Sequence, residues 1–403
     1  RYSLGLNHNE KSSSKEILFL CYELHNQAVD LAKNDHTEEM VRDKSKEGHF
    51  LVKLSAKPLK TQVEYGTYIS TLQKFAFDLL RTAITRYDDL LTIANLTGFI
   101  PLLENGLKSE SEGVIISSLK VLTLAVRLPF EGEVQETLKK CSRTALNIIK
   151  DCPLTNTDLC QACLRFIATV IRNKPEIQLK ETAISYLLVR IQPDLEEPNR
   201  QGLAFAFVKS ILSQGIVVAD LYDIMDKISN IMITNHTKEI RDMSRSAYFQ
   251  FLMEYDQGKG RLEKQFKHLL NNLSYDTQDG RQSVLELLHL IIQKSGPELL
   301  TRLASSFFLG LANVAISDDS PRSREMATTL LGNMFSKLGA SKLDLVEAYC
   351  SKWLTQTANP LLQRCGLNVY KIYCSVIGFG TSKTLDDLAF KCISSTLETA
   401  NND

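Results

Sequence analysis

The sequence contains little proline and glycine, with 10 and 19 of these among its 403 residues. A β-sandwich or β-barrel needs many turns and usually contains more of both. A single globular core stops growing at roughly 250–300 residues, so a chain of this length forms several domains or a repeat architecture. The hydrophobic content of 44% is that of a folded protein and excludes disorder over most of the length.

An excess of one charge is also lacking, because lysine plus arginine equals aspartate plus glutamate at 47 each. This balance neither indicates nucleic acid as a partner nor excludes it, since one face can be basic while another is acidic. No stretch approaches the roughly 18 apolar residues that a membrane span requires, so we expect no membrane segment. Because the first residue is Arg1, we expect the chain to be a piece of a longer protein.

Motifs for metal binding and catalysis are incomplete. The seven histidines form no His-x-x-x-His pair, and the CxxC pair of Cys160 and Cys163 has no second pair at zinc-finger spacing. We interpret these two cysteines as buried, inert residues of a helix in a reduced, intracellular protein. The glycine clusters at 258–260 and 378–380 complete neither a Walker A nor a dinucleotide-binding motif. We therefore expect no catalytic residue, no metal, no cofactor and no small-molecule substrate.

The sequence does contain evenly spaced helix starts. The intervals between them are 45, 42, 40, 41, 42 and 39 residues, and the predicted starts lie near Ser111, Asn156, Pro198, Lys238, Asp279, Pro321 and Pro360. A second set of helices is predicted at 134–150, 178–191, 218–232, 259–272, 297–314 and 341–355. Two helices per unit and a period of about 41 residues are typical of HEAT or armadillo repeats. The predicted fold class is all-α, an α-solenoid of HEAT-like repeats.

The side-chain pattern within the units supports this fold. One helix has a single apolar stripe, formed by Leu262, Phe266, Leu269, Leu270 and Leu273. The next helix is apolar nearly all round over 284–292, so we expect it to be the middle layer of the solenoid. A basic residue recurs just inside five helices, namely Arg200, Arg241, Arg281, Arg324 and Arg364. We favour contacts to the neighbouring repeat for this row, with phosphate binding as the alternative.

The N-terminal part is less regular. We predict a helical segment over 1–33, with one helix at 14–32 capped by Ser13 or Ser14. Residues 34–65 contain several lysines without a stable period, and we interpret them as a loop or insertion. The repeat solenoid is predicted to occupy 66–403.

The most distinctive stretch of sequence spans residues 249–292. Its landmarks are Phe251-Leu252-Met253-Glu254-Tyr255, Gly258-Lys259-Gly260-Arg261-Leu262 and Gly280-Arg281-Gln282-Ser283-Val284. This stretch resembles the U3 small nucleolar RNA-associated protein 20 family, very long HEAT-repeat proteins of the small-subunit processome. Residues 3–7, 75–81 and 95–103 also look like that family, so the resemblance spans nearly the whole chain. The irregular residues 34–64 match it least.

The resemblance implies a function and a location. It implies a non-catalytic scaffold of the 90S pre-ribosome, in the nucleolus of the nucleus, that supports early precursor-RNA processing and assembly of the 40S subunit. The implied partners are other processome proteins, pre-ribosomal RNA and the U3 small nucleolar RNA particle. The candidate residues for contact with RNA or a partner are Lys259, Arg261, Lys264 and Lys267. Two alternatives stay open: a transport receptor of the importin or exportin type, and a phosphatase or kinase scaffold.

Overall fold

The structure is a computed structural model that describes residues 10–33, 62–258, 260–339 and 343–400. All regular elements in these ranges are helices, and no strand occurs among them. The chain divides into two compact units, Arg1–Ile216 and Val217–Asp403. Within each unit, successive helix pairs pack side by side, which confirms the predicted all-α, HEAT-like solenoid class.

The first unit contains a layer of packed helices and further helices beside that layer. The α-helices described in this unit are α1 (Glu10–Lys33), α2 (Gln62–Arg86), α3 (Ile93–Leu96), α4 (Ile100–Gly106), α5 (Glu112–Ala125), α6 (Gly132–Asp151), α7 (Asp158–Asn173), α8 (Glu181–Ile191) and α9 (Gln201–Ser213). Helix α2 packs on α5, α5 on α7 and α7 on α9. Helices α1, α4 and α6 pack against this layer, so each repeat contributes one helix to it and one beside it.

The second unit has the same arrangement. Its helices are α10 (Ala219–Thr234), α11 (Lys238–Glu254), α12 (Arg261–Asn271), α13 (Gln278–Lys294), α14 (Pro297–Ser317), α15 (Pro321–Leu338), α16 (Asp344–Leu354), α17 (Pro360–Val376) and α18 (Lys383–Ala400). Helices α11, α13, α15 and α17 pack on one another in order. Helix α14 packs on α15, and α16 on α17, as the first helix of each repeat.

Most helix starts lie within two residues of their predicted positions. Ser320 caps α15 by accepting a hydrogen bond from the Ser323 amide at 3.4 Å, and Asn359 caps α17 in the same way. Pro198 is the exception, because α9 begins three residues later at Gln201. There the Arg200 amide donates to the Glu197 carbonyl at 3.0 Å, which closes a turn before the helix.

The N-terminal helices differ from their predicted bounds. Helix α1 begins at Glu10, so Ser13 and Ser14 lie within it and neither is its N-cap. Helix α2 begins at Gln62, four residues before the predicted boundary at 66. The rest of the predicted loop, residues 34–61, lies outside the described residues.

The all-round apolar helix, α13, is the buried middle element that the sequence predicts. Six of its apolar side chains are buried, namely Val284, Leu285, Leu287, Leu288, Ile291 and Ile292. They are covered from several sides because α10, α11 and α15 all pack against α13. The C-terminal end of α13 is held by Lys337 of α15, whose ammonium donates to the Ile292, Gln293 and Ser295 carbonyls at 2.7–2.8 Å.

Among the described residues, one helix is long and apolar enough to cross a membrane by composition, α14, with a mean hydropathy of 1.6. The expectation that no stretch approaches this composition is therefore wrong. In the structure Leu300, Phe307, Phe308 and Leu311 of α14 are buried. They contact neighbouring helices, since the Phe307 ring meets Phe266 of α12 and the Phe308 ring meets Phe335 of α15. The hydropathy of α14 therefore agrees with a core helix of the solenoid.

We predict that Leu287→Asp destabilises the second unit. The substitution places a carboxylate at a fully buried position and removes a leucine from the core, which costs at least ~3 kcal/mol. The matched control is Leu309→Asp, the same change at a side chain of α14 that is 36% exposed. Urea unfolding followed by circular dichroism measures both; equal midpoints for the two variants contradict the burial assigned to α13.

We predict that His25 makes the first unit sensitive to acid. Its ring is buried on α1, with its centroid 5.1 Å from that of Phe77 on α2, and burial lowers the pKa of His25 from 6.5 to about 4. Between these pH values the unfolded chain binds the proton and the folded chain does not, so stability is lost as pH falls through this window.

The variant His25→Leu lacks this proton and is expected to lose less stability between pH 7 and pH 4, by up to ~3 kcal/mol. The measurement is urea unfolding at several pH values for both proteins. Parallel pH dependences for the two proteins refute the assignment.

Candidate nucleic-acid interface

The recurring arginines were one candidate for phosphate contact, and two of them are instead buried between repeats. Arg241 of α11 donates to the Asn235 and His236 carbonyls at 2.8 and 2.9 Å. Its other nitrogen, Nη2, donates to the Asp279 carboxylate at the start of α13 at 2.8 Å. Arg241 is only 8% exposed, so its charge joins two adjacent repeats rather than facing a ligand.

Arg281 repeats this contact one unit later. Its Nη1 donates to the Tyr275 and Asp276 carbonyls at 2.9 and 3.0 Å. Its Nε donates to Asp318 at 2.8 Å, and Nη2 contacts both Asp318 and Asp319 in the turn before α15. The predicted contact to the neighbouring repeat is therefore confirmed for Arg241 and Arg281, and their buried N–H groups are occupied.

The remaining members of the row do not join repeats in this way. Arg324 donates to the Asp318 and Asp319 carbonyls just before its own helix. Arg200 pairs with Asp194, also in the preceding turn, at 3.2 Å. Arg364 is exposed and has no ion pair with a described residue. The neighbour-contact interpretation thus holds for the middle of the row and fails at its ends.

The predicted basic segment lies at the start of α12. Lys259 falls outside the described residues, and Gly260 adopts a left-handed conformation with φ +80° immediately before the helix. Of the predicted apolar stripe, Phe266, Leu269 and Leu273 are buried. The opposite face presents the two predicted lysines, Lys264 and Lys267, to solvent.

Arg261 is tied to the neighbouring first helix, α10. Its guanidinium carbon lies 4.0 Å from the centroid of the Tyr222 ring, a cation–π contact. Tyr222 in turn makes edge contacts with Phe251 and Tyr255, each at 6.0 Å between centroids. One face of the Arg261 guanidinium is therefore covered by the Tyr222 ring, whereas Lys264 and Lys267 are free to extend into solvent.

Acidic side chains lie beside these cations. Glu263 on α12 approaches Arg302 of α14 at 3.7 Å, with both side chains more than half exposed. On α10, Asp223 and Asp226 are exposed, and Asp226 accepts a hydrogen bond from Gln265 at 3.1 Å. The surface around α12 is thus mixed in charge, and its attraction for a polyanion is correspondingly weakened.

The CxxC pair lies on the buried side of α7. Cys160 and Cys163 are inaccessible to solvent, and burial raises the pKa of Cys160 to about 12. Both thiols therefore stay protonated at neutral pH, which is the unreactive form. No group of three or more metal-ligating side chains occurs in the part of the chain that the structure describes.

A second concentration of cations was missed by sequence reasoning. At three helices of the first unit, two basic residues are separated by seven positions: Lys74 and Arg81 on α2, Lys120 on α5 and Arg127 in the turn after it, Arg165 and Arg172 on α7. This spacing places the pairs of α2 and α7 each on one face of the helix, whereas Arg127 lies two residues beyond the end of α5. The signal was visible in the sequence, but it becomes significant only when α2, α5 and α7 are known to be neighbours.

No known family model matches the chain. Two relatives align with nearly all of it, and both carry the name U3 small nucleolar RNA-associated protein 20. The protein from Saccharomyces cerevisiae is 50% identical over 98% of this chain. The protein from Schizosaccharomyces pombe is 33% identical over 94%. Over this shared segment, the chain belongs to the U3 small nucleolar RNA-associated protein 20 family.

The chain spans 16% and 15% of the length of these two relatives. Solved structures of lower similarity include Kap121p bound to RanGTP, with 12% identity, a TM-score of 0.43, and coverage of 89% of this chain and 45% of that one. An engineered protein has 14% identity, a TM-score of 0.41, and coverage of 94% and 98%. At these low scores the likeness has no bearing on function.

We predict that Arg281→Ala destabilises the second unit by about 3 kcal/mol, because it leaves the carboxylate of Asp318, only 3% exposed, without its buried partner. The control is Arg364→Ala, which removes an exposed arginine from the same row and should change stability by less than ~0.5 kcal/mol. Thermal or urea unfolding compares the two. A similar small effect for both would show that the Arg281 contacts do not support the repeat stack.

Proposed function

We propose that the chain is part of a non-catalytic scaffold of the small-subunit processome, the 90S pre-ribosome, in the nucleolus. In this role it supports early processing of pre-ribosomal RNA and assembly of the 40S subunit by binding processome proteins, pre-ribosomal RNA and the U3 small nucleolar RNA particle. The observation that carries the proposal is the 50% identity to U3 small nucleolar RNA-associated protein 20 across 98% of the chain.

The fold suits a scaffold for a physical reason. Stacked helix pairs bury their apolar faces against neighbouring repeats, which leaves long exposed faces that can hold several partners at once. The buried groups with candidate chemistry, such as the Cys160 thiol, are held in an unreactive form. These features support binding rather than catalysis as the role of this segment.

The predicted interface on α12 would act through charge. Arg261, Lys264 and Lys267 follow one another at intervals of three residues, and the sequence places Lys259 just before them. Lysines that extend into solvent contact phosphates without reading bases. Because Glu263 and Asp226 lie nearby, this site would bind RNA weakly and depend strongly on salt.

The test of the scaffold role is co-sedimentation. The affinity-tagged chain is added to nuclear extract, and gradient fractions are probed for U3 small nucleolar RNA and pre-ribosomal RNA, with contacts mapped by crosslinking. We expect the chain to travel with early small-subunit precursors. Association with a small GTPase and Phe-Gly repeats, or with a lone phosphatase or kinase, in place of those particles would refute the proposal.

We predict that Lys264→Glu/Lys267→Glu weakens association with pre-ribosomal RNA about tenfold at low salt without changing the unfolding midpoint. The slope of log K, the association constant for RNA, against log salt concentration should also become shallower by about 1–2, since about one unit of slope is lost per phosphate contact. Lys383→Glu/Lys391→Glu, which reverses two exposed charges on α18, is the matched control. Equal RNA affinities for both variants would remove the α12 lysines from the interface.

A further inference from the structure

A groove in the first unit is lined by residues of three consecutive layer helices, α2, α5 and α7, and by Arg127 of the turn after α5. Its volume is about 490 Å³. Four of the lining residues are cationic, Arg81, Lys120, Arg127 and Arg165, and one is acidic, Asp158. All five are exposed to solvent, so the groove is open and strongly positive.

The positive charge continues along α2 and α7 beyond the groove. Lys74 lies seven residues before Arg81 on α2, and Arg172 lies seven residues after Arg165 on α7. A separation of seven residues corresponds to about 10 Å along a helix axis. Lys120 on α5 is followed at the same interval in sequence by Arg127, which lies in the turn after the helix. The opposite faces carry buried residues such as Leu119 and Phe166, so the cations cannot turn inward. The result is a set of adjacent basic stripes on the exposed side of the helix layer.

These cations are not neutralised by the protein. None of the four lining the groove forms a salt bridge or a side-chain hydrogen bond with any residue in the described ranges, unlike Arg241 and Arg281 in the second unit. The nearby carboxylate of Asp78 accepts a hydrogen bond from the Ser117 hydroxyl at 2.9 Å. Since the whole chain has a formal net charge of zero, such a concentration of unpaired cations is a local feature of this face.

The uncharged polar side chains of the groove already donate hydrogen bonds to backbone carbonyls. The hydroxyls of Thr85 and Thr123 donate to carbonyls of their own helices at 2.7 Å, and Gln161 donates to the Thr155 carbonyl at 2.7 Å. The groove therefore offers a ligand mainly charged donors. A phosphodiester backbone presents acceptors to such donors, and arginine forks bind phosphate oxygens in pairs. A peptide main chain would also bring N–H donors, for which the lining offers few acceptors.

The groove also lacks the features of a site that reads bases. Its lining contains no aromatic side chain on which a base could stack. Its apolar members, Ile116, Leu124 and Ala162, are half-buried parts of the helix surfaces. We propose that this groove binds the sugar–phosphate backbone of RNA independently of sequence. The proposal deepens the role argued above, because it takes RNA as a partner from that role and places its contact on α2, α5 and α7.

The test uses the purified chain and a fluorescent 20-nucleotide oligouridine, with binding measured by anisotropy between 50 and 200 mM salt. The groove variant is Arg81→Glu/Lys120→Glu/Arg165→Glu. The matched control is Lys140→Glu/Arg143→Glu/Lys150→Glu, which makes the same charge change at exposed positions of α6 in the same unit. Urea midpoints verify that both variants fold.

We expect the groove variant to lose at least tenfold in affinity at 50 mM salt and the control less than threefold. The slope of log K against log salt should become shallower by about 2 in the groove variant, because three cations at about 0.7 each are removed. Equal losses in the two variants would show an effect of net charge alone and overturn the proposal, as would absence of oligouridine binding by the unmodified chain.

A competitor distinguishes RNA from an acidic protein partner. Polyglutamate that displaces oligouridine from the unmodified chain at equal or lower charge concentration would overturn the assignment to RNA in favour of an acidic segment. The outcome is independent of the scaffold role: oligouridine binding can fail while the chain still travels with processome particles through protein contacts. Conversely, the groove can bind RNA even if co-sedimentation fails.

Discussion

Within each unit, the stack depends on the burial of second helices such as α5 and α13 between the second helices of their neighbours. A pair of helices such as α12 and α13 has more apolar surface than the two can cover by themselves, because α13 is apolar nearly all round. Packing α11 on one side and α15 on the other covers that surface. At about 25 cal/mol per Å² of apolar area, this burial is the main favourable term for the stack. The first helix of each repeat then needs only one apolar stripe, and its outer face can carry charged residues.

The same constraint decides which polar groups are structural. Where a cation near the start of a second helix is buried between two repeats, it is removed from water and must be paired. Arg241 and Arg281 satisfy this requirement with carbonyls of their own turn and carboxylates of the next repeat. Lys337, in the last turn of α15, is exposed and donates to carbonyls at the end of α13. A cation halfway along the exposed side of a second helix, such as Lys120, has no such requirement and keeps its charge for a ligand.

Much of the fold follows from the sequence because its determinants are local. Helix starts at Ser320-Pro321 and Asn359-Pro360 are capped by their own side chains, so a single sequence predicts them. The predicted helix start at Pro198 is wrong because proline fits a turn as well as the first position of a helix. Only the surrounding hydrogen bonds decide between a turn and a helix start. The composition of α14 was misjudged because glycine, serine and threonine interrupt its apolar runs without lowering its mean hydropathy below that of a membrane span.

The candidate sites depend on contacts between segments that are distant in sequence, so local sequence patterns do not predict them. The segment Gly258–Arg261 is conspicuous in sequence because two glycines flank a lysine, yet Arg261 stacks on Tyr222, and α10 and α12 also carry exposed acids. The groove of α2, α5 and α7 has no conspicuous motif, since its cations are contributed by segments about 40 residues apart. Charge on a solenoid accumulates across repeats rather than along the chain. A basic residue at one helix position is a weak signal, but the same position used in three stacked helices brings unpaired cations side by side. For a polyanion, this accumulated field outweighs a single basic loop, because the release of counterions grows with the number of phosphates contacted.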